Sequence, residues 1–267
     1  MSGKVERWAD LKTIHFGSDG DLRVALLPVA AIEQHGPHLP LGTDSYILEA
    51  LLERLSEKPP KYAEVLVLPM QSIGDSTEHR DFPGTLTQDA ETLIASWMSI
   101  GEAVAESGFR TLAIVNSHGG QPQIVDIVAQ RLRAEFQILV GRINTFLLGV
   151  PEGLFSEDEL SFGWHGGEVE TSMMLSIAPE LVDMSSAKKF SSLAAHLAKH
   201  NKSLRAEGGA AFAWQAQDLN AEGVTGNAAA ADAERGAAAL DHIATQLGRA
   251  LDELAGFDWS QLRDGPQ

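Results

Sequence analysis

Apolar residues fall in blocks whose spacing switches between that of strands and that of helices. Residues 22–30 form a short apolar run of the kind buried strands show. Between residues 45 and 58, Ile47, Leu48, Leu51, Leu52 and Leu55 recur at helical spacing, and Pro59-Pro60 stop the pattern. Residues 64–69 read as a second strand. The polar stretch after them, 71–85, is long for a connection in a compact domain, a length common in functional loops. An amphipathic helix is predicted over 88–107, with Gly108 in the terminating position. A third strand follows at 111–116, and Pro122 opens a helix at about 123–134. Residues 136–142 supply a fourth strand, and 148–163 read as a loop. Helical segments are predicted over 173–177, 191–204 and, as one long alanine-rich run, 228–254, while 208–226 is irregular. Strands alternating with helices predict an α/β fold with a mainly parallel sheet covered on both faces. No internal repeat or linker interrupts the chain.

Composition narrows the function classes. Of 267 residues, 44% are hydrophobic, enough for a sizeable core. Twenty Lys and Arg stand against 37 Asp and Glu, a formal net charge of -17. That balance argues against nucleic acid or an anionic membrane as the main partner. There is no cysteine, so disulfides, thiolate zinc sites and cysteine nucleophiles are excluded. The opening residues 1–12 are polar, with no apolar signal core, and no apolar run of about 18 residues occurs. A soluble cytoplasmic enzyme is the expectation.

Candidate chemistry clusters just past the strands. The first strand breaks into a loop carrying Glu33, His35, His38 and Asp44, folded by Gly36, Pro37, Pro40 and Gly42. Glu33 and His35 lie two apart, so in an extended segment they point the same way. Carboxylate, imidazole and carboxylate together suit zinc or manganese, whereas the plain alternative is a polar loop whose histidines satisfy backbone groups. The third strand runs into Ser117-His118-Gly119-Gly120-Gln121, and a later segment reads Trp164-His165-Gly166-Gly167-Glu168-Val169-Glu170-Thr171-Ser172. A parallel sheet brings the carboxyl ends of its strands to one edge, so these groups could converge. Trp164 could stack on a flat amide or pack in the core. His79, beside Glu78, could line a substrate mouth, though a solvated loop residue is the reading preferred. His196 and His200, spaced i, i+4, read as a surface face.

These residues carry a resemblance. Glu33-Gln34-His35-Gly36-Pro37-His38-Leu39-Pro40-Leu41-Gly42-Thr43-Asp44 resembles the opening signature of the creatininase (creatinine amidohydrolase) family. So do Phe82-Pro83-Gly84-Thr85, Asn116-Ser117-His118-Gly119-Gly120 and His165-Gly166-Gly167-Glu168-Val169-Glu170-Thr171-Ser172, with a weaker match at Gly223-Val224-Thr225-Gly226 and Glu234-Arg235-Gly236. The matches run in order over about 22–240. The resemblance implies one domain over 1–267, a three-layer α/β/α sandwich, and a homo-oligomer, with a hexamer favoured. It also implies two divalent metals per chain, Zn2+ first, with Mn2+ or Fe2+ as alternatives. Glu33, Asp44 and His118 would hold one ion, and His35, Asp44 and Glu168 the other. His165 would correspond to the acid/base histidine, and Trp164, His79, Gly119 and Gly120 would border the substrate.

The chemistry of amide hydrolysis is consistent with that set. Without a serine or cysteine nucleophile, water must be activated. A divalent ion lowers its pKa from about 15.7 to about 7, and a second ion polarises the carbonyl. A histidine that is not a ligand can then protonate the leaving nitrogen. The expected activity is hydrolysis of a C–N bond, other than a peptide bond, in a small cyclic or linear amide. The alternatives are formamide deformylation, mycofactocin-type peptide trimming, ester or C–C hydrolysis at the same site, and a metal-binding protein without catalysis. Creatinine itself is in doubt, because Gly119-Gly120 stand where creatininases carry an aromatic residue and a glutamate ligand, a carboxylate expected here from Glu168. Ala228 and Arg235 replace the usual Pro and Lys at positions read as scaffold.

Overall fold

The computed structural model describes residues 3–16 and 22–262. Its centre is a sheet of five parallel strands, β1 (Lys4–Arg7), β2 (Arg23–Val29), β3 (Glu64–Val67), β4 (Thr111–Asn116) and β5 (Leu139–Asn144), which lie side by side in the order β1-β3-β2-β4-β5. Four of these are the predicted strands, shifted by no more than three residues. The fifth, β1, lies within the polar opening segment. It is a sheet edge, with Lys4 and Glu6 forming an ion pair at the surface, so it needs no apolar run to be stable.

Side chains alternate across the sheet. Ala25, Leu27, Val29, Leu112 and Ile114 face helices α2 (Ala90–Glu106) and α3 (Pro122–Phe136), where Trp97 is fully buried. Val24, Leu26, Ala113 and Val115 face α1 (Thr43–Glu57) and the long C-terminal helix. Helices therefore cover both faces, the expected α/β/α layering. Removing one such side chain, as in Leu48→Ala, carries a cost of about 2–5 kcal/mol.

Predicted irregular regions contain two short helices, α4 (Glu157–Phe162) and α7 (Ala216–Leu219). The predicted helix at 173–177 begins earlier, as α5 (Glu168–Ile177). The helix α6 is Leu193–His200, and α8 runs Ala233–Ala255. A small antiparallel ribbon pairs β6 (Lys189–Phe190) with β7 (Gly226–Asn227).

The order of the strands fixes where a site can form. From β2 the chain moves to β3 on one side, whereas from β4 it moves to β5 on the other. The carboxyl ends of β2 and β4 thus flank the point where the winding reverses, with Val29 level with Asn116. Such a crevice, where loops diverge, is the usual place for ligands in an open α/β sheet.

Candidate metal centre

Glu33, His35 and Asp44 come together past β2, with His118 joining them from β4. His118 Nδ1 lies 3.2 Å from Glu33 Oε1 and 3.6 Å from Asp44 Oδ2. His35 Nε2 lies 3.7 Å from Asp44 Oδ1. All four residues are buried. The loop of His118 is held by Asn116, whose side chain bonds both the N–H and the carbonyl of His118, at 3.0 and 2.8 Å. Ser117 Oγ donates to the carbonyl of Asp44 at 3.1 Å.

Tautomers follow from the backbone. A carbonyl only accepts, so the ring nitrogen facing one must carry the proton. His35 Nδ1 faces Glu33 O at 3.1 Å, His118 Nε2 faces Asp75 O at 2.7 Å, and His165 Nε2 faces Gln34 O at 2.6 Å. Each ring therefore turns its other nitrogen into the cluster. Among the described residues, both carboxylate oxygens of Glu33, His35 Nε2 and Asp44 Oδ2 are buried without a hydrogen-bond partner. Buried polar atoms are rarely orphaned. A lone-pair nitrogen aimed inward, with its N–H fixed on a carbonyl, is how ligand histidines are usually held. The donor set thus fits divalent cations.

The charges of the cluster are strongly coupled. Burial alone would lower the pKa of His35, but Asp44, Glu170 and Glu33 outweigh it and push it up to about 9. His118 rises to about 10 against its own burial, through Glu33, Asp44 and Glu78. Burial pushes Glu78 and Glu170 each up to about 7. His79 falls to about 4 through burial. His165 is driven well below its ordinary value by burial and by His35 and His79, so it is a neutral imidazole rather than one titrating at its usual pKa. Its ring lies between the other two, with centroids 4.1 Å from His35 and 4.3 Å from His79.

The two glutamates of the later motif take places opposite to those expected. Glu168 does not join the cluster. Its carboxylate pairs with the Arg235 guanidinium on α8, which also donates to the carbonyls of Leu154 and Ala230. Glu170 turns inward instead, its Oε2 3.9 Å from His35 Nε2, and its carboxylate lies within 4.8 Å of ring nitrogens of His35 and His165. The two do diverge, as about 100 degrees of rotation per residue requires, but the half-buried Arg235 on α8 claims the first. Glu168 is thus engaged with Arg235, and Glu170, whose Oε2 also accepts from Gly166 N at 2.6 Å, is the glutamate of this motif that faces His35.

His79 departs from the solvated reading. It is buried, its Nδ1 2.7 Å from Gln34 Nε2 and its Nε2 3.5 Å from Glu33 Oε1. Glu78 stands beside it, with Oε1 3.7 Å from His118 Nε2. A Cβ on Gly120 would collide with that carboxylate, whereas Gly119 is exposed with no atom within 4 Å of where its Cβ would be. Trp164 packs with Phe162, Trp214 and Leu219 in a satellite cluster, the core alternative for this residue. His38 is not among the grouped ligands; its Nε2 lies 3.0 Å from both Gly166 O and Thr171 Oγ1. His196 and His200 stack on each other on α6, in line with a surface face.

Gln34 has a role that residue type alone does not announce. Its side chain donates to Gly223 O at 2.6 Å and accepts from Gly36 N at 2.9 Å, while its backbone N donates to Thr85 Oγ1 at 3.1 Å. The blocks Phe82–Thr85 and Gly223–Gly226 therefore brace the ligand loop. Their appearance within the same set of motifs as Gln34 was the available signal.

The class defined by fold and site is a parallel α/β sandwich with a buried carboxylate–imidazole cluster where its winding reverses. The creatininase family, described as creatinine amidohydrolase, matches residues 7–251. The chain belongs to this family. It is 31% identical over 179 residues to the creatinine amidohydrolase of Pseudomonas putida, covering 60% of this chain and 66% of that protein. It is 33% identical over 165 residues to the mycofactocin precursor peptide peptidase of Mycobacterium ulcerans, covering 59% of each. The matches thus span less than two thirds of these curated relatives' length. A creatininase variant solved in a Zn-Zn form superposes with a TM-score of 0.69 at 26% identity, over 87% of this chain and 90% of that one. Among the described residues no helix is long and apolar enough to cross a membrane.

Proposed function

We propose that the chain is a metal-dependent amidohydrolase that cleaves the C–N bond of a small amide with two divalent ions, Zn2+ first and Mn2+ or Fe2+ as alternatives. The observation that carries this reading is the convergence of unpartnered, buried ligand atoms on Glu33, His35 and Asp44. Glu33, Asp44 and His118 would hold one ion; His35, Asp44 and Glu170 would hold the other, with Asp44 shared. The ions would supply Lewis acidity, which makes water nucleophilic near neutral pH and polarises the amide carbonyl.

The remaining steps fall to the chain itself. His165 is fixed by the carbonyl of Gln34, and its free Nδ1 lies 3.6 Å from Glu33 Oε1. It would take a proton from the attacking water and return it to the leaving nitrogen as the C–N bond breaks and the carboxylate forms. Glu78 and His79 border the cluster, and Gly119, beside His118, has open space where a Cβ would stand. Cleavage of a peptide-like amide is the second reading, favoured by the identity to the mycofactocin peptidase. We further propose one functional domain, a homo-oligomer and a cytoplasmic setting. The test is elemental analysis of chelator-free protein, joined to turnover of a panel of small cyclic amides, formamides and short peptides. Fewer than one ion per chain, or no turnover by fully loaded protein, would sink the proposal.

A further inference from the structure

Glu159 is a buried carboxylate that the chemistry above leaves unused, 4% exposed on the short helix α4. Its hydrogen bonds come from backbone N–H groups rather than from a cation. Oε1 accepts from Glu168 N at 2.6 Å, and Oε2 accepts from Asn227 N at 2.8 Å.

The first of those donors opens α5, where the first N–H groups have no partner within the helix. The residue at the cap position, Gly167, has no side chain to satisfy them. Glu159 fills that role from 9 positions upstream, and its negative charge suits the positive end of the helix. The second donor belongs to β7, which follows Thr225, whose N–H donates to His165 O at 2.9 Å. One carboxylate thereby ties together the segment before α5, the first turn of α5 and the ribbon strand. The surroundings are cut to its shape. A Cβ on Gly163, Gly167 or Gly226 would meet Glu159 Oε1 at or inside 2.5 Å, closer than real side chains approach.

We propose that Glu159 is the positioning residue for the His165–Glu170 segment, setting both the inward nitrogen of His165 and the carboxylate of Glu170 relative to the ligands on β2 and β4. This rests on the metal reading above for its effect on binding, though not for its effect on the backbone.

Glu159→Gln and Glu159→Ala test it with two readouts. The first is amide hydrogen exchange, which needs no metal. Exchange at Glu168 and Asn227 should quicken at least about tenfold, while amides of β4 stay within about twofold of wild type. The second is titration of chelator-stripped protein with Co2+, followed by its visible absorption. One ion should bind about 10- to 100-fold more weakly, the range for losing an outer support, while the other stays within about threefold. Unchanged exchange at Glu168 and Asn227 overturns the proposal, as does equal weakening of both ions or a uniform rise in exchange across the protein. If wild type takes up no Co2+, the metal reading fails, and the exchange data alone decide the role of Glu159. Should both variants fail to fold, Gly163→Ala displaces the carboxylate without removing it, and the same criteria apply.

Discussion

The two halves of the cluster are held in place by different means. Glu33, His35 and His118 follow directly from β2 and β4, strands buried on both faces and locked by a parallel ladder. His165 and Glu170 lie on a segment outside the five-stranded sheet, fastened by individual polar contacts from His38, Gln34 and Glu159. A ladder shares its strain over many bonds, so loss of one side chain shifts it little. A segment pinned by a few buried polar groups depends on each, because an unpaired partner costs about 1–3 kcal/mol. The sheet side therefore supplies a rigid half-site, and the other side is where small changes alter geometry.

The largest effect should come from Asp44, which faces both His35 and His118. Asp44→Ala should drop metal content below one ion per chain by elemental analysis; full occupancy of both ions would remove its bridging role. Next is His165→Ala, expected to keep the wild-type metal content and lose about 10²–10⁴-fold in turnover. Loss of an ion in that variant would make His165 a ligand and extend the rigid half-site to the loop.

Arg235→Leu probes the movable side through stability. It leaves the buried carboxylate of Glu168 unpaired, at a cost of about 3–5 kcal/mol in chemical denaturation. The double variant Glu168→Leu/Arg235→Leu should recover most of that loss. If the double variant is no better than the single, the pairing is not what holds α5 to α8.

The smallest effect is a matter of protons. Folded pKa values of about 9 for His35 and about 10 for His118 lie above the ordinary 6.5. Their protons therefore stabilise the metal-free protein fully below about pH 6.5, and that contribution is lost as pH rises to 9–10. A divalent ion displaces them, so at pH 7 binding should release about two protons per chain and tighten as pH rises. Calorimetry in buffers of different ionisation enthalpy measures the number. Zero protons released would mean that neither imidazole is a ligand.

Much of this was legible in the residues. The strands at 111–116 and 64–67 are continuous apolar runs because both faces are covered, and such runs announce themselves. β1 did not, because three of its four residues are charged and none is buried. Local geometry told that Glu168 and Glu170 must face apart, yet not which would turn inward. The deciding group, Arg235, is 67 positions away, and no local pattern carries that information. His79 was misjudged for the same reason: its loop is polar in sequence, but Gln34 draws it inside. Glu159 lay in a stretch that gave only the signals of a loop.

One more consequence concerns how such a protein changes its diet. Gly120 is closed to variation by the carboxylate of Glu78, whereas Gly119, one residue along and beside a candidate ligand, opens onto free space. New side chains can be tried at 119 at little cost to folding, next to His118 and without displacing the atoms of the cluster. On the proposed function, position 119 is the first to randomise in a directed-evolution library.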